Sequence, residues 1–201
     1  MKNTKPGRIG RRIAAFAALG ILIAVALTGC GKSTGLSEKK YKAADMSGYA
    51  MLEGIDTKDL FLDMTVRDIA QEMEKKNTFV LYTGYESCSW CNAMIPYLVE
   101  EAKAAGMKIG YLDLRRNPEW RSNLDIDDYD LFVEHFGALL PTDKEGRLHL
   151  YSPHVFFVKE GKIVGDHQGT VLTQENATDP LKPEEQAELR GALKEQFDLL
   201  K

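Results

Sequence analysis

Residues 78–84 read TFVLYTG, a β-rich apolar run that Gly84 ends; Cys88 and Cys91 follow, and after them a stretch of helical pattern, CNAMIPYLVEEAKAAG. A strand that delivers a Cys-x-x-Cys to the first turn of a helix constrains this chain more than any other feature. The helix N-terminus presents unpaired N–H groups and a partial positive charge, and both stabilise a thiolate. The first thiol is therefore expected to ionise below the free-cysteine value of about 8.5. Two intervening residues, Ser89 and Trp90, let one helical turn bring the second sulfur within bonding reach of the first. Cys88 is then the exposed attacking thiol and Cys91, a turn inside, the resolving one.

The remaining cysteine, Cys30, ends a different kind of segment. Lys2, Lys5, Arg8, Arg11 and Arg12 precede the uncharged run IAAFAALGILIAVALTG, which closes on Leu27-Thr28-Gly29-Cys30. Charge, apolar run and Leu-x-Gly-Cys occur in order, so residues 1–29 read as a secretory signal. The segment resembles a bacterial lipobox, in which the cysteine becomes the first mature residue and carries lipid. The expectation is a body held on the extracytoplasmic face of the cell membrane through Cys30.

Lipidation would leave Cys88 and Cys91 as the only thiols of an exported body. A disulfide scaffold would need more cysteines at wider spacing. A closed zinc site would need two further ligands, and neither a second Cys-x-x-Cys nor a His pair at ligand spacing is present. The histidines (135, 149, 154 and 167) are scattered and read as surface or half-buried residues. The formal charge is −4, and residues 1–29 hold five positive charges and no negative ones, so the remainder carries −9. An acidic body argues against nucleic acid as a partner.

Residues 30–48, polar with Gly and Ser, read as a flexible tether, and residues 49–201 as one domain. Within it the patterns predict a strand at 60–62 and a helix opened by a cap at Thr65. Further strands are predicted at 78–84 and 108–114, on either side of the helix that ends at Gly106. An irregular excursion over 115–151 includes a short helix, with Asp125, Asp127, Asp128 and Asp130 at its start, read as capping acids rather than a calcium loop, and Gly137 past its end. RLHLY (147–151) and HVFFV (154–158) read as strands around Ser152-Pro153. KEGK is a hairpin turn into KIVGDHQG. An amphipathic helix from Pro183 closes the chain, with Leu189, Leu193, Phe197 and Leu200 on its core face.

The chain resembles the thioredoxin family. Beyond the Cys-x-x-Cys, Pro96 lies five residues after the second cysteine, LDLRRNP matches a strand and its Asn-Pro exit, and Pro153, Gly161 and Gly169 keep the family's spacing. The resemblance implies an α/β thioredoxin-like fold, a central mixed sheet flanked by helices. It also implies a cis Ser152–Pro153 bond against the cysteine pair, with Ser152 and Pro153 lining a substrate groove and Trp90 a partly exposed contact for client peptides. Among exported relatives the chain is similar to thioredoxin-family lipoproteins and to bacteriocin-transport accessory proteins of Gram-positive bacteria. The implied activity is thiol–disulfide exchange with client proteins, with no dissociable cofactor and a membrane redox partner to reset the pair. A Cu(I)-binding module, or a client-binding one without redox turnover, is the alternative.

Two departures stand out. The family's buried Asp, six residues before the first cysteine, is Tyr82 here, and its partner Lys on the next strand is Tyr111. Glu86 is the nearest acid in sequence and a candidate proton relay, with a solvated loop carboxylate as the plainer reading.

Overall fold

The computed structural model describes residues 35–37, 39–117, 119 and 125–201; the signal segment, Cys30 and Pro118 lie outside them. The sheet is built on β2 (Phe79–Gly84), every residue of which is buried. Runs of this kind are covered on both faces, which is why they are apolar without alternation. Beside β2 on one side runs β3 (Ile109–Asp113), parallel to it, and beyond that β1 (Phe61–Asp63), also parallel. On the other side β4 (His154–Lys159) pairs antiparallel with β2, and β5 (Lys162–Gln168) forms the edge. The order β1-β3-β2-β4-β5 makes a five-stranded mixed sheet. Helices cover both faces, so the molecule has the α/β thioredoxin-like fold.

Two apolar layers follow from strand alternation. Val80, Tyr82, Tyr111, Val155 and Phe157 face α2 (Ser89–Ala105) and α4 (Pro183–Leu199). Phe79, Leu81, Leu112, Phe156 and Val158 face α1 (Val66–Glu74) and α3 (Tyr129–Phe136). Leu189, Leu193, Phe197 and Leu200 are buried as their spacing required. The α1 cap is a reciprocal box: Asp68 N–H donates to Thr65 Oγ1 (3.2 Å) and Thr65 N–H to the Asp68 carboxylate (2.9 Å). The β4–β5 turn places Glu160 and Gly161 at φ 50° and 75°, the mirror-image turn that matches strand twist. A methyl on Gly161 would stand 2.1 Å from Met73 O, so the turn also needs glycine for space.

Four expectations are corrected. The packed body begins before residue 49: Leu36, Tyr41 and Met46 are buried in the two layers, and Ala43 bridges Leu62. Tyr41 Oη donates to Glu72 (2.5 Å), a carboxylate that Lys40 and Asn77 also hold. Residues 147–151 form no strand, only a bridge from Leu148 to Thr142, because both edges of β4 are already taken by β2 and β5. Asp128, expected to cap α3, makes no side-chain cap bond and instead pairs with Arg67 of α1 (2.8 and 2.5 Å). His154 is completely buried, with Nε2 2.7 Å from Asp166. Gly137 does follow α3, but in a helical conformation that continues into a 3-10 turn over Gly137–Leu139.

Candidate active site

The chain leaves β2 at Gly84, turns through Tyr85–Ser87 and enters α2 with Cys88 as its N-cap. Cys88 and Cys91 are joined in a disulfide, their Cα atoms 5.1 Å apart. Cys91 N–H points at Cys88 Sγ (3.1 Å), so the first sulfur occupies the place that a capping oxygen takes in other helices. Cys91 is fully enclosed; Cys88, expected to be exposed, is itself buried at 7% exposure and reaches solvent only where it lines a cleft. The helix runs on through Pro96 to Gly106, whose φ of 65° ends it.

The Ser152–Pro153 peptide is cis, as the resemblance implied. Ser152 O lies 3.8 Å and its hydroxyl 3.9 Å from Cys88 Sγ. Pro153 is buried, and its carbonyl accepts from Gly169 N–H (2.9 Å), which ties the third member of the Pro-Gly-Gly series to the first. Ser152 itself is half-exposed, and among the described residues no main-chain group bonds its N–H or C=O. Trp90 is also half-exposed and leans on the α2–α4 layer with part of its surface.

Cys88, Trp90 and Ser152 share a cleft of about 560 Å³ with Tyr85, Ser87, Ser89 and residues 175–178. That last wall comes from the long loop between β5 and α4, and sequence reasoning placed no site residue there. The Arg115 guanidinium covers the Tyr85 ring at 4.4 Å. Glu86 is exposed, and its side chain lies across Gly48. Its carbonyl accepts from Asn92 Nδ2 (2.6 Å), so the hydrogen bond that ties Glu86 to the active-site helix comes from its backbone, not its carboxylate.

Beneath the pair, the two substituted positions meet. Tyr82 and Tyr111 are register partners on β2 and β3, and their rings stack at 5.7 Å. Tyr49 joins them edge-on, its hydroxyl 3.1 Å from that of Tyr111. Burial pushes all three phenols above their ordinary range, so they stay protonated. Tyr49 was not singled out in the sequence; it lies in the segment that docks from outside the βαβ unit, where no periodicity marks it. At the two positions where the resemblance implied a charged pair, this chain holds a neutral aromatic cluster.

No protein-family model and no curated protein matches the chain. Solved structures similar to it include thioredoxin O2 from Arabidopsis thaliana in its oxidized state, 12% identical, covering 72% of this chain and 97% of that one at a TM-score of 0.43. Thioredoxin from Fasciola hepatica is 16% identical, covering 68% and 95% at a TM-score of 0.40. A thioredoxin variant from Halobacterium salinarum is 11% identical, covering 73% and 96% at 0.41. At these identities the likeness concerns the fold alone, and the fold stands on this chain's own sheet order, its disulfide at the head of α2 and the proline beside it.

Proposed function

We propose that this chain is a thiol–disulfide oxidoreductase, anchored outside the cytoplasmic membrane by lipid on Cys30, that exchanges disulfides with client proteins through Cys88. The observation that carries this is the disulfide at the N-terminus of α2, whose outer sulfur opens onto a cleft beside the unpaired backbone of Ser152. In the reducing direction, Cys88 thiolate attacks a client disulfide and releases one client thiolate, forming a mixed disulfide. Cys91 thiolate then displaces the second client sulfur, leaving a reduced client and the Cys88–Cys91 disulfide. The oxidising direction reverses each step. Ser152 would bond an extended client segment in the manner of strand addition, with Pro153 beneath it and Trp90 against its side chains. A membrane redox partner resets the pair, and the lipid on Cys30 raises its effective concentration.

The test is insulin reduction beside a thiol titration with Cu(I). Turnover by the wild type and none by Cys88→Ser supports the reading. Tight Cu(I) capture by both thiols, without insulin turnover, replaces it with metal delivery.

A further inference from the structure

Tyr82 Oη is fully buried and has no hydrogen-bond partner among the described residues. An unpaired buried hydroxyl is costly, so a native site that keeps one calls for an explanation. Tyr49 lies close enough to offset a little of the effect of burial on Tyr82, but its hydroxyl forms its hydrogen bond with Tyr111 (3.1 Å), and Tyr111 leans toward Gly84 O (3.4 Å). The Tyr82 hydroxyl and the buried sulfur both border the space beside Gly84. A methyl built on Gly84 would stand 2.6 Å from Tyr82 Oη and 3.1 Å from Cys91 Sγ, so the phenol and the sulfur share the gap this glycine leaves open. In the disulfide, Cys91 Sγ is a neutral and weak acceptor, and no hydrogen bond reaches it among the described residues. Reduction frees it as a thiol, and during exchange as a thiolate, sealed from water; the thiolate needs a donor and the thiol can accept one. Burial keeps the Tyr82 proton in place to supply one.

We propose that Tyr82 donates a hydrogen bond to Cys91 only in the reduced protein, and thereby shifts the redox equilibrium of the pair toward the dithiol. This rests on the redox reading above and adds a direction to it: the hydroxyl makes the couple more oxidising than the same site without it. The reaction that reads it is the disulfide plus two glutathione thiols giving Cys88 and Cys91 thiols plus one glutathione disulfide. Two electrons and two protons pass to the protein sulfurs. The bond is absent on the left and present on the right. The same donor would steady Cys91 thiolate during resolution, at the position where the family holds a carboxylate.

The full chain in detergent is equilibrated with glutathione buffers at pH 7, acid-quenched, and its free thiols counted by alkylation and mass spectrometry. Tyr82→Phe deletes one oxygen and keeps the ring. It is expected to favour the disulfide about tenfold more than wild type, which is about 30 mV toward the reducing side for a two-electron couple. A change within twofold, or one toward the dithiol, overturns the proposal. Tyr111→Phe removes a hydroxyl bonded to Tyr49 and is expected to shift the equilibrium less than twofold; a shift equal to that of Tyr82→Phe also overturns it. Should Tyr82→Phe fail to fold, wild-type protein carrying ¹³Cζ-tyrosine answers the question. The Tyr82 resonance should move on reduction, and one that stays put refutes the bond. Insulin reduction separates the two readings. A protein that equilibrates with glutathione yet ignores insulin rejects the oxidoreductase function and leaves the Tyr82 bond standing; an active enzyme with no Tyr82→Phe shift rejects the bond alone.

Discussion

Limiting iodoacetamide at pH 7 should alkylate Cys88 before Cys91 in the reduced protein. The structure sets the scale. Cys88 Sγ receives Cys91 N–H at 3.1 Å, and a hydrogen bond to a charged group contributes about 1.5–3 kcal/mol. The helix terminus adds about 0.3–1 kcal/mol for an anion at its first turn. Together these favour the Cys88 thiolate by at least about 2 kcal/mol, roughly 30-fold in population. Tyr82 would return part of this advantage to Cys91, but that sulfur is wholly enclosed while Cys88 borders the cleft. The net expectation is a selectivity of about tenfold or more for Cys88. The assay is peptide mapping by mass spectrometry after a short reaction with substoichiometric reagent. Equal labelling of the two thiols, or Cys91 first, refutes the assignment of roles and the argument from the cap.

Cys91→Ser should accumulate covalent client complexes on non-reducing gels, because the mixed disulfide forms and its resolving thiol is gone; Cys88→Ser should accumulate far fewer. Glu72→Gln tests the clasp between the N-terminal segment and α1. Burial alone would raise the Glu72 carboxyl, but hydrogen bonds from Lys40, Tyr41 and Asn77 outweigh it and hold it below the ordinary range. Burial, and after it the bond to Glu72, push the Tyr41 phenol up to about 12. A depressed folded-state carboxyl stabilises above its unfolded value of about 4.3 and loses that contribution as pH falls through its folded value. Glu72→Gln should therefore cost about 1–3 kcal/mol in urea unfolding at pH 7, with the gap from wild type closing in acid; a gap that is constant with pH would contradict this. Gly161→Ala should lose more than about 1 kcal/mol, since its φ of 75° and its approach to Met73 O both oppose a side chain. Gly54→Ala, at the same φ with open space around it, should lose less in the same denaturant titration. Cys30→Ala should abolish fatty-acid labelling and release the protein from the membrane fraction; unchanged labelling would remove the lipid anchor from the proposed function.

Much of the site could be read in advance because its signals are local. The apolar run, the cysteine spacing, Gly106 and the Thr65–Asp68 box each act within a strand or one or two helical turns, where residue order nearly fixes geometry. The Pro153, Gly161 and Gly169 series was legible for a related reason: a two-residue turn locks the β4–β5 register, so sequence spacing becomes spatial spacing. Reading RLHLY as a strand failed where pattern met competition. Its alternation is real and Leu150 is buried, but a strand also needs an unpaired neighbour, and neither edge of β4 offers one.

The amino-acid order alone determined the mixed α/β succession, the placing of the cysteine pair at a helix start and the uncharged tyrosines at 82 and 111. Only the tertiary structure decided what those two tyrosines do. Tyr49 reaches them from the segment that enters before β1, Gly84 leaves the gap that Cys91 shares, and the loop at 175–178 walls the cleft above. Lys40 and Tyr41 likewise meet Glu72 across more than 30 residues of chain. Contacts of that range carry no periodicity. They arise when whole layers pack, and each depends on which side chains the opposing face leaves room for.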